Sequence, residues 1–285
     1  MIFIIIGVVV MAVSVLTAYL TRRNSRTKKS RGISLLVPFR TDHGRRAKSW
    51  KWLEEYWNYE LPGAELIVKH DNDPDRAFCK TQAVNNAHKA SHGDIIVILD
   101  ADCYVSGDVI LDAAERIRKA KKEGKKAWFV PYRRFYRINK EWSDKVLESN
   151  PRDPLRLPNY PPKYMLDEES FQEKAATWGH QFGALIQVMP REAFELVGGM
   201  DERHRSWGGD DVNMMRALDT LYAKHLTLNN GVDHLWHPTI GKTHTERTWE
   251  GGQPGNNDWL STLYAAANGR PELMWDLINE GLAER

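Results

Sequence analysis

Apolar and polar positions along the chain form blocks whose spacing predicts strands and helices in turn. Apolar runs at residues 33–39, 64–69 and 94–99 have the length and composition of buried strands. Residues 45–58 and 78–90, which lie between these runs, have helical spacing. Strands that alternate with helices predict an open, mostly parallel α/β sheet with helices on its faces. Such a sheet binds ligands beyond the carboxyl ends of its strands.

The second half of the chain continues with shorter elements and one irregular stretch. Residues 138–165 carry five prolines without clear periodicity, which predicts a long irregular loop of the kind that often serves as a lid. The other predicted elements are strands at 127–130 and 183–190, helices at 109–122, 191–197 and 211–221, and one or two amphipathic helices in 260–285.

The N-terminus has the pattern of a membrane anchor. Its first twenty residues are apolar and uncharged, which is enough to span a bilayer as a helix of about 30 Å. A basic cluster follows, and the positive-inside rule then places the body in the cytoplasm. We expect a single-pass anchor at 1–21, a basic juxtamembrane linker at 22–32, a catalytic domain at 33–259 and a helical tail at 260–285. A cleaved or merely peripheral segment is the alternative.

The charge balance argues against a nucleic-acid partner. Six of the 40 basic residues lie between residues 22 and 31, and the same N-terminal stretch contains none of the 38 acids. The body is therefore slightly acidic, whereas a nucleic-acid binder spreads positive charge over a folded face. The two cysteines, Cys79 and Cys103, are too few for a disulfide scaffold, which favours a reducing compartment.

Asp100-Ala101-Asp102 directly follows the apolar run 94–99. Two carboxylates at the end of a central strand can hold a divalent cation against a diphosphate, and their oxygen atoms favour Mg²⁺ or Mn²⁺. The alternative is a solvated turn.

A second acidic pair occurs in Trp207-Gly208-Gly209-Asp210-Asp211. Glycines allow close backbone approach, and two acids that open a helix are stabilised by its dipole. A carboxylate held there could act as a general base on a hydroxyl group. Plain helix capping explains the same pattern equally well.

Histidines and aromatic residues complete the candidate chemistry. His234 and His237 lie three residues apart and could offer ring nitrogens to a metal, although a histidine is more often a satisfied polar residue. Aromatic rings can stack on a base, and Arg and Lys can neutralise phosphate. Side chains of these types follow the first two predicted strands, although the two Phe rings could equally belong to the core: Pro38, Phe39, Arg40, Phe78, Lys80 and Asn85.

These motifs together resemble family 2 glycosyltransferases and the β-1,4-galactosyltransferase group, which share the GT-A fold. The resemblance covers residues 33–238 and is most specific at 198–218, GGMDERHRSWGGDDVNMMRAL. It extends to LDADCYV, VPFR and FCKTQAVNNA. The family often has Glu at the position of Asp210, and the galactosyltransferases continue with further acids where Val212 and Asn213 stand here.

The resemblance implies a GT-A fold and a metal-dependent glycosyltransferase that uses a UDP-sugar and Mn²⁺ or Mg²⁺. It implies Asp211 as the catalytic base, Asp210 as an acceptor contact, and Asp102 with His237 or the competing His234 as metal ligands. The residues implied to bind the nucleotide sugar are Pro38, Phe39, Arg40, Phe78, Lys80, Asn85, Asp100, Ala101, Asp102, Gly183, Trp207, Gly208 and Gly209.

The expected reaction is a single inverting displacement that moves a hexose or N-acetylhexosamine to a hydroxyl of a glycan, glycolipid or protein. A nucleotidyltransferase is a rival enzyme class. It would need a Gly-rich basic loop after the first strand, and residues 41–46 (TDHGRR) match such a loop poorly. A non-catalytic, membrane-tethered module that binds nucleotide sugars or glycans is the other alternative.

Overall fold

The computed structural model describes most of the chain between residue 20 and the C-terminus. The predicted anchor at 1–21 lies almost wholly outside the described residues, as do Gly183 and Trp207. In the part that is described, no helix is long and apolar enough to cross a membrane. The described residues are 13, 14, 17, 20–75, 78–167, 185–205, 208–238 and 257–284.

Six strands form the central sheet, in the order β2-β1-β3-β7-β5-β8. β1 lies between β2 and β3 and is parallel to both, as the alternation of strands and helices predicts. β3 is apolar and buried at every position, as expected for a strand covered on both faces. The strands are β1 (Ile33–Pro38), β2 (Glu65–Lys69), β3 (Ile95–Leu99), β5 (Phe129–Val130), β7 (Ile186–Pro190) and β8 (Leu226–Thr227).

The prediction of a mostly parallel sheet holds for one half only, because the sheet is mixed. β7 runs antiparallel to both β3 and β5. Ile186 at the start of β7 pairs with Leu99 at the end of β3, so β7 enters the sheet from the carboxyl edge. A run of apolar residues looks the same in both directions, and strand polarity therefore could not be predicted from this pattern.

A second, three-stranded sheet lies beside the first and has the order β4-β9-β6. Its strands are β4 (Cys103–Tyr104), β6 (Arg134–Arg137) and β9 (Gly231–His234). The sequence pattern predicted none of them, since they are two to four residues long and mostly polar. In this sheet Cys103, which follows Asp102, pairs with His234, the last residue of β9. The pairing therefore brings His234 close to Asp102.

Eight α-helices lie between Arg45 and Ala283 in the described part of the chain. The predicted helices are present with small shifts at their ends, and the tail is broken at residues 268–270 as expected. The prediction of an irregular loop at 138–165 is wrong in part, because this stretch contains a helix, α4 (Lys140–Glu148), whose first turn is capped by the Asn139 side chain. It also contains a short 3₁₀ helix at Lys163–Met165. The five prolines all follow α4 rather than interrupt it. The helices are α1 (Arg45–Glu60), α2 (Lys80–Lys89), α3 (Gly107–Lys122), α4 (Lys140–Glu148), α5 (Arg191–Leu196), α6 (Asp210–Leu221), α7 (Asn257–Ala267) and α8 (Pro271–Ala283).

The segment predicted as a basic linker is partly structured, because residues 20–30 are helical. Arg26 is buried there and pairs with Glu60 and Asp108, each at 2.7 Å. The hydroxyl of Ser30 accepts a hydrogen bond from the backbone of Gly63. The end of this helix therefore packs on the catalytic body instead of being a free tether.

The C-terminal helices are fixed to the loop that precedes α6 by a buried ion pair. Arg203 and Asp201 pair at 2.8 Å, and each side chain is only 6% exposed. The hydroxyl of Tyr264 in α7 donates to Asp201, and Arg203 donates to the carbonyl of Leu277 in α8. The conspicuous Asp of the GGMDE segment therefore has a structural role.

We expect Asp201→Ala to lower the free energy of unfolding by about 3 kcal/mol, because it removes the buried counter-ion of Arg203 and leaves only the exposed Glu280 and Glu284, each at 3.8 Å. Urea denaturation followed by circular dichroism measures the change. Asp276→Ala is the matched control, since Asp276 lies exposed on α8 and its loss should cost less than about 0.5 kcal/mol. Equal effects of the two substitutions would contradict the structural role of Asp201.

Candidate active site

The first acidic pair lies where β3 ends, as the sequence predicts. The backbone amide of Leu235 donates to the carbonyl of Asp102 at 2.8 Å, which holds the chain after β9 against this turn. Nε2 of His234 lies 3.6 Å from Oδ1 of Asp102, and Nε2 of His237 lies 3.3 Å from Oδ2. A guanidinium nitrogen of Arg46 is 3.1 Å from the same Oδ2.

Asp102, His234 and His237 form a candidate metal site, in which one ligand atom from each residue lies within 4.8 Å of the others. The sequence left the two histidines as competitors, whereas the fold brings both to Asp102. One carboxylate and two imidazoles suit a divalent transition metal better than Mg²⁺, which prefers oxygen ligands alone. The donor set therefore fits a divalent transition metal ion.

The charges around Asp102 favour ligation. Burial would raise the pKa of Asp102, but the two histidines and Arg46 outweigh it and hold the pKa well below its usual range. Burial lowers the pKa of His234 to about 4, so its ring is neutral at physiological pH. Burial also opposes the proton on His237, but the hydrogen bond to Asp102 outweighs it and raises the pKa of His237. A metal therefore competes with a proton more strongly at His237 than at His234.

Arg45 holds the backbone between the two histidines. Its Nε donates to the carbonyl of Trp236 at 3.1 Å, and its guanidinium lies 5.7 Å from the centre of the Trp236 ring. The same guanidinium pairs with Asp144 of α4. Arg45 lies at the start of α1, so this contact fixes the His234–His237 turn to two helices.

We expect Arg45→Ala to weaken Mn²⁺ binding by about tenfold or more, because partners behind metal ligands orient those ligands. Electron paramagnetic resonance of free Mn²⁺ measures the affinity. Lys140→Ala is the control: Lys140 lies over the same Trp236 ring and pairs with the same Asp144, but its side chain is 63% exposed. Unchanged Mn²⁺ affinity in Arg45→Ala would contradict this role.

The second acidic pair opens α6, as predicted. Gly208 and Gly209 precede it with φ of 113° and 81°, values that side chains other than glycine rarely allow. A Cβ on Gly209 would also lie 2.2 Å from the hydroxyl of Ser261 in α7. The two glycines therefore permit the turn that aims Asp210 and Asp211 toward the sheet.

Lys80 joins the two acidic pairs. Its Nζ lies 2.7 Å from Oδ1 of Asp100, 2.7 Å from Oδ1 of Asp211 and 3.4 Å from Oδ2 of Asp210. Burial raises the pKa of Asp100 to about 6, although Lys80 opposes the shift. Burial and the neighbouring Asp210 raise the pKa of Asp211 well above its usual range, again against Lys80. The arrangement provides a buried carboxylate at Asp211 that is more basic than an ordinary aspartate.

The predicted nucleotide pocket is partly assembled. Arg40 leaves the end of β1 and lies 5.3 Å from the centre of the Phe78 ring. Its guanidinium also binds the buried Asp71 carboxylate, which accepts a hydrogen bond from the backbone of Cys79 as well. The Phe39 ring packs against the Trp50 ring, with 5.9 Å between the ring centres. Arg40 and Phe78 are both half-buried and lie near Asp71, which follows the end of β2.

The remaining residues of the predicted pocket differ in position. Pro38 is the last residue of β1, and Ala101 is buried between the two acids. The Asn85 amide is 5% exposed and bonds to the backbone of Met200 and to Glu202, so it braces the loop before α6.

Several residues of the site were missed in the sequence. Arg45 and Arg46 were considered only as a poor phosphate loop, and Gln187, whose amide donates to the carbonyl of Asp211 at 3.2 Å, was read as part of a strand. A polar Gln at a fully buried strand position is a signal that could have identified the last of them.

Both acidic pairs lie within a segment of the chain that matches a known protein family. The sequence model described as "Glycosyltransferase like family 2" matches residues 60–229. The matched segment contains Asp100, Asp102, Asp210 and Asp211, but it ends before His234. No curated protein matches the chain.

Solved structures that resemble the chain include the following three. Two are of Drosophila β1,4-galactosyltransferase 7. A variant with manganese, UDP-Gal and xylobiose has 17% identity and a TM-score of 0.35. The catalytic domain with xylobiose has 18% identity and a TM-score of 0.34. In both, the match covers 76% of this chain and 68% of that chain. A mannosyltransferase from Pyrobaculum calidifontis with GDP-Man and Mn²⁺ has 12% identity, covers 88% and 74% of the two chains, and has a TM-score of 0.41.

Proposed function

The chain belongs to the glycosyltransferases of family 2-like type, and from that premise we propose that it is an inverting, metal-dependent enzyme that uses a UDP-sugar. The sugar, a hexose or N-acetylhexosamine, is transferred to a hydroxyl of a glycan, glycolipid or protein. The proposal rests on two groups of side chains at one edge of the sheet: the cluster of Asp102, His234 and His237, and the buried pair Asp210 and Asp211. Lys80 connects the two groups, because it binds Asp211 and also Asp100, which lies two residues before Asp102.

Asp102, His234 and His237 would hold Mn²⁺, or Mg²⁺ with lower preference. The bound ion would neutralise charge on the diphosphate of the donor and on the departing nucleotide. Arg40 and Phe78, together with the neighbouring Pro38 and Phe39, would line the pocket that binds the nucleotide.

Asp211 would act as the general base. Its carboxylate takes the proton of the acceptor hydroxyl while that oxygen attacks the anomeric carbon on the face opposite the nucleotide. The bond between the anomeric carbon and the diphosphate oxygen breaks, and the nucleotide leaves with the electron pair. One displacement inverts the anomeric configuration. Asp210 would hold the acceptor beside the base.

We expect the rate of transfer to rise with pH. Asp211 must be ionised to accept a proton, and burial raises its pKa well above its usual range. The ionised fraction therefore falls as the pH drops below that raised pKa, by up to about tenfold per unit. Values of kcat from about pH 5 to 9, with Mn²⁺ shown to be saturating at each pH, measure the profile. A rate that is flat or that falls across this range would contradict the assignment.

The membrane part of the proposal rests on the sequence pattern. The uncharged run at residues 1–20 and the basic cluster after it favour a single-pass anchor with the body in the cytoplasm. The buried contacts of Arg26 would then keep the body close to the bilayer surface. An acceptor made at the membrane fits this placement.

The test uses the full chain in detergent and a panel of UDP- and GDP-sugars, each with Mn²⁺, with Mg²⁺ and with EDTA. Release of free nucleoside diphosphate is measured with and without simple sugar acceptors. Metal-dependent release from one UDP-sugar is the expected result. Metal-dependent UDP binding without release in the presence of any acceptor would favour the non-catalytic binding module. Neither binding nor release would overturn the proposal.

A further inference from the structure

Lys80 has an unusual position for a residue expected to contact a diphosphate. It is the first residue of α2, yet its side chain is only 17% exposed. Its ammonium lies among three carboxylates that come from two distant segments of the chain. Asp100 comes from the end of β3, and Asp210 and Asp211 come from the start of α6. Among the described residues, Lys80 supplies the only ion pair of each of these three acids.

We propose that Lys80 is a positioning residue for Asp211, which it holds toward the acceptor and keeps ionised, and that it is not a contact of the donor diphosphate. The inference rests on the proposed role of Asp211 as the base. It differs from the sequence-based expectation that Lys80 lines the nucleotide pocket.

The geometry at Asp211 leaves one oxygen for chemistry. Oδ1 accepts the hydrogen bond from Lys80 at 2.7 Å, and the described residues provide no hydrogen bond to Oδ2. The backbone of Asp211 is held separately, because Gln187 donates to its carbonyl. Lys80 and Gln187 therefore fix the side chain and the backbone of the same residue, with Oδ2 left to accept a proton.

The charges make this contact necessary. Asp211 is faced by Asp210 on its own helix, by Asp100 from β3 and by the Tyr132 hydroxyl from beyond β5, none of which carries positive charge. Burial and these acids favour the protonated carboxyl, which cannot act as a base, and Lys80 opposes them. Arg46, the neighbouring cation of the site, is bound to Asp102 instead.

A contact with the diphosphate would require Lys80 to leave these partners. If this ammonium moved, the three buried acids that it pairs with would face one another without any positive charge between them. Lys80 also lies on the side of Asp100, the first acid of its pair, whereas the candidate metal ligands gather around Asp102. The lysine thus links the metal-binding turn to the base without belonging to the metal site.

The test compares Lys80→Gln and Lys80→Arg with the wild-type full chain. Positioning predicts that Lys80→Gln lowers kcat on the order of 100-fold and changes the dissociation constant of UDP with Mn²⁺ by less than about threefold. Lys80→Arg, which keeps the charge, should recover about tenfold of the loss. A large loss of UDP affinity with little change in kcat at saturating donor would overturn the inference.

A second measurement does not depend on turnover. Carboxyl ¹³C NMR of the Asp-labelled chain, with Asp211→Asn to assign the resonance, reports the pKa of Asp211 directly. Positioning predicts that Lys80→Gln raises this pKa by about one unit or more. An unchanged pKa overturns the inference even if transfer is observed, whereas a chain without transferase activity contradicts only the proposed function.

Loss of folding in Lys80→Gln is addressed by the double variant Lys80→Gln/Asp100→Asn, which removes one charge of each sign from the buried cluster. Thermal unfolding followed by circular dichroism checks each protein first. The double variant should have an Asp211 pKa below that of Lys80→Gln, because the Asp100 charge is lost as well, but above that of Asp100→Asn, which keeps Lys80. An Asp211 pKa that is no higher in the folded double variant than in Asp100→Asn would overturn the inference.

Discussion

Asp211→Asn should abolish most of the transfer activity and leave both the fold and nucleotide binding intact. The amide has the size of the carboxylate but cannot accept the proton of the acceptor, and a positioned general base contributes about 10²- to 10⁴-fold to the rate. We therefore expect kcat to fall by that factor, with the dissociation constant of UDP and Mn²⁺ within about threefold of wild type. Initial rates with saturating donor, together with calorimetric titration of UDP, measure the two quantities.

Asp219→Asn is the matched control for this prediction. Asp219 lies on the same helix, but its carboxylate is bound to His225 and Lys224 at the far end of α6. Its loss should lower the stability and leave kcat of the folded protein nearly unchanged. Full transfer activity in Asp211→Asn would remove Asp211 from the role of base, whatever the donor proves to be.

Asp102→Asn is the substitution with the second large effect, on metal binding. Asp102 is the shared partner of both histidines, and the variant replaces the only carboxylate of the cluster by a neutral amide. We expect Mn²⁺ affinity to fall by about 100-fold or more and metal-dependent turnover to fall with it. His237→Ala and His234→Ala should each weaken Mn²⁺ as well. Electron paramagnetic resonance titration separates these affinities.

Asp233→Asn tests whether any acid in this region would have the same effect. Asp233 precedes His234 on β9, and adjacent strand residues point to opposite faces, so its carboxylate faces away from the cluster. The variant should bind Mn²⁺ as the wild type does. Mn²⁺ that binds equally well to Asp102→Asn and to wild type would show that the ion is held elsewhere.

The two acidic pairs could be predicted because their positions follow from local patterns. The five apolar residues of β3 are buried on both faces, which requires a central position in the sheet and places Asp100 and Asp102 at its carboxyl edge. Gly208 and Gly209 before Asp210 likewise indicate a helix start with unusual backbone angles.

The partners of those acids could not be predicted in the same way. β4 and β9 are two and four residues long, too short for a periodic signal, yet their pairing places His234 and His237 beside Asp102. The same limit hid Arg45 and Arg46, whose ordinary positions at a helix start give no sign of their distant contacts.

The sequence by itself determined the α/β alternation, the edge of the sheet where the candidate site lies, and the identity of the acids there. Each of these depends on neighbours within a few residues, through strand burial, helix dipoles and glycine backbone angles. Only the tertiary structure decided that both histidines approach Asp102, that β7 is antiparallel, and that Lys80 binds Asp211 across 131 positions of sequence. Ion pairs and strand pairing join residues that no local pattern relates, because the folded backbone alone sets their distance.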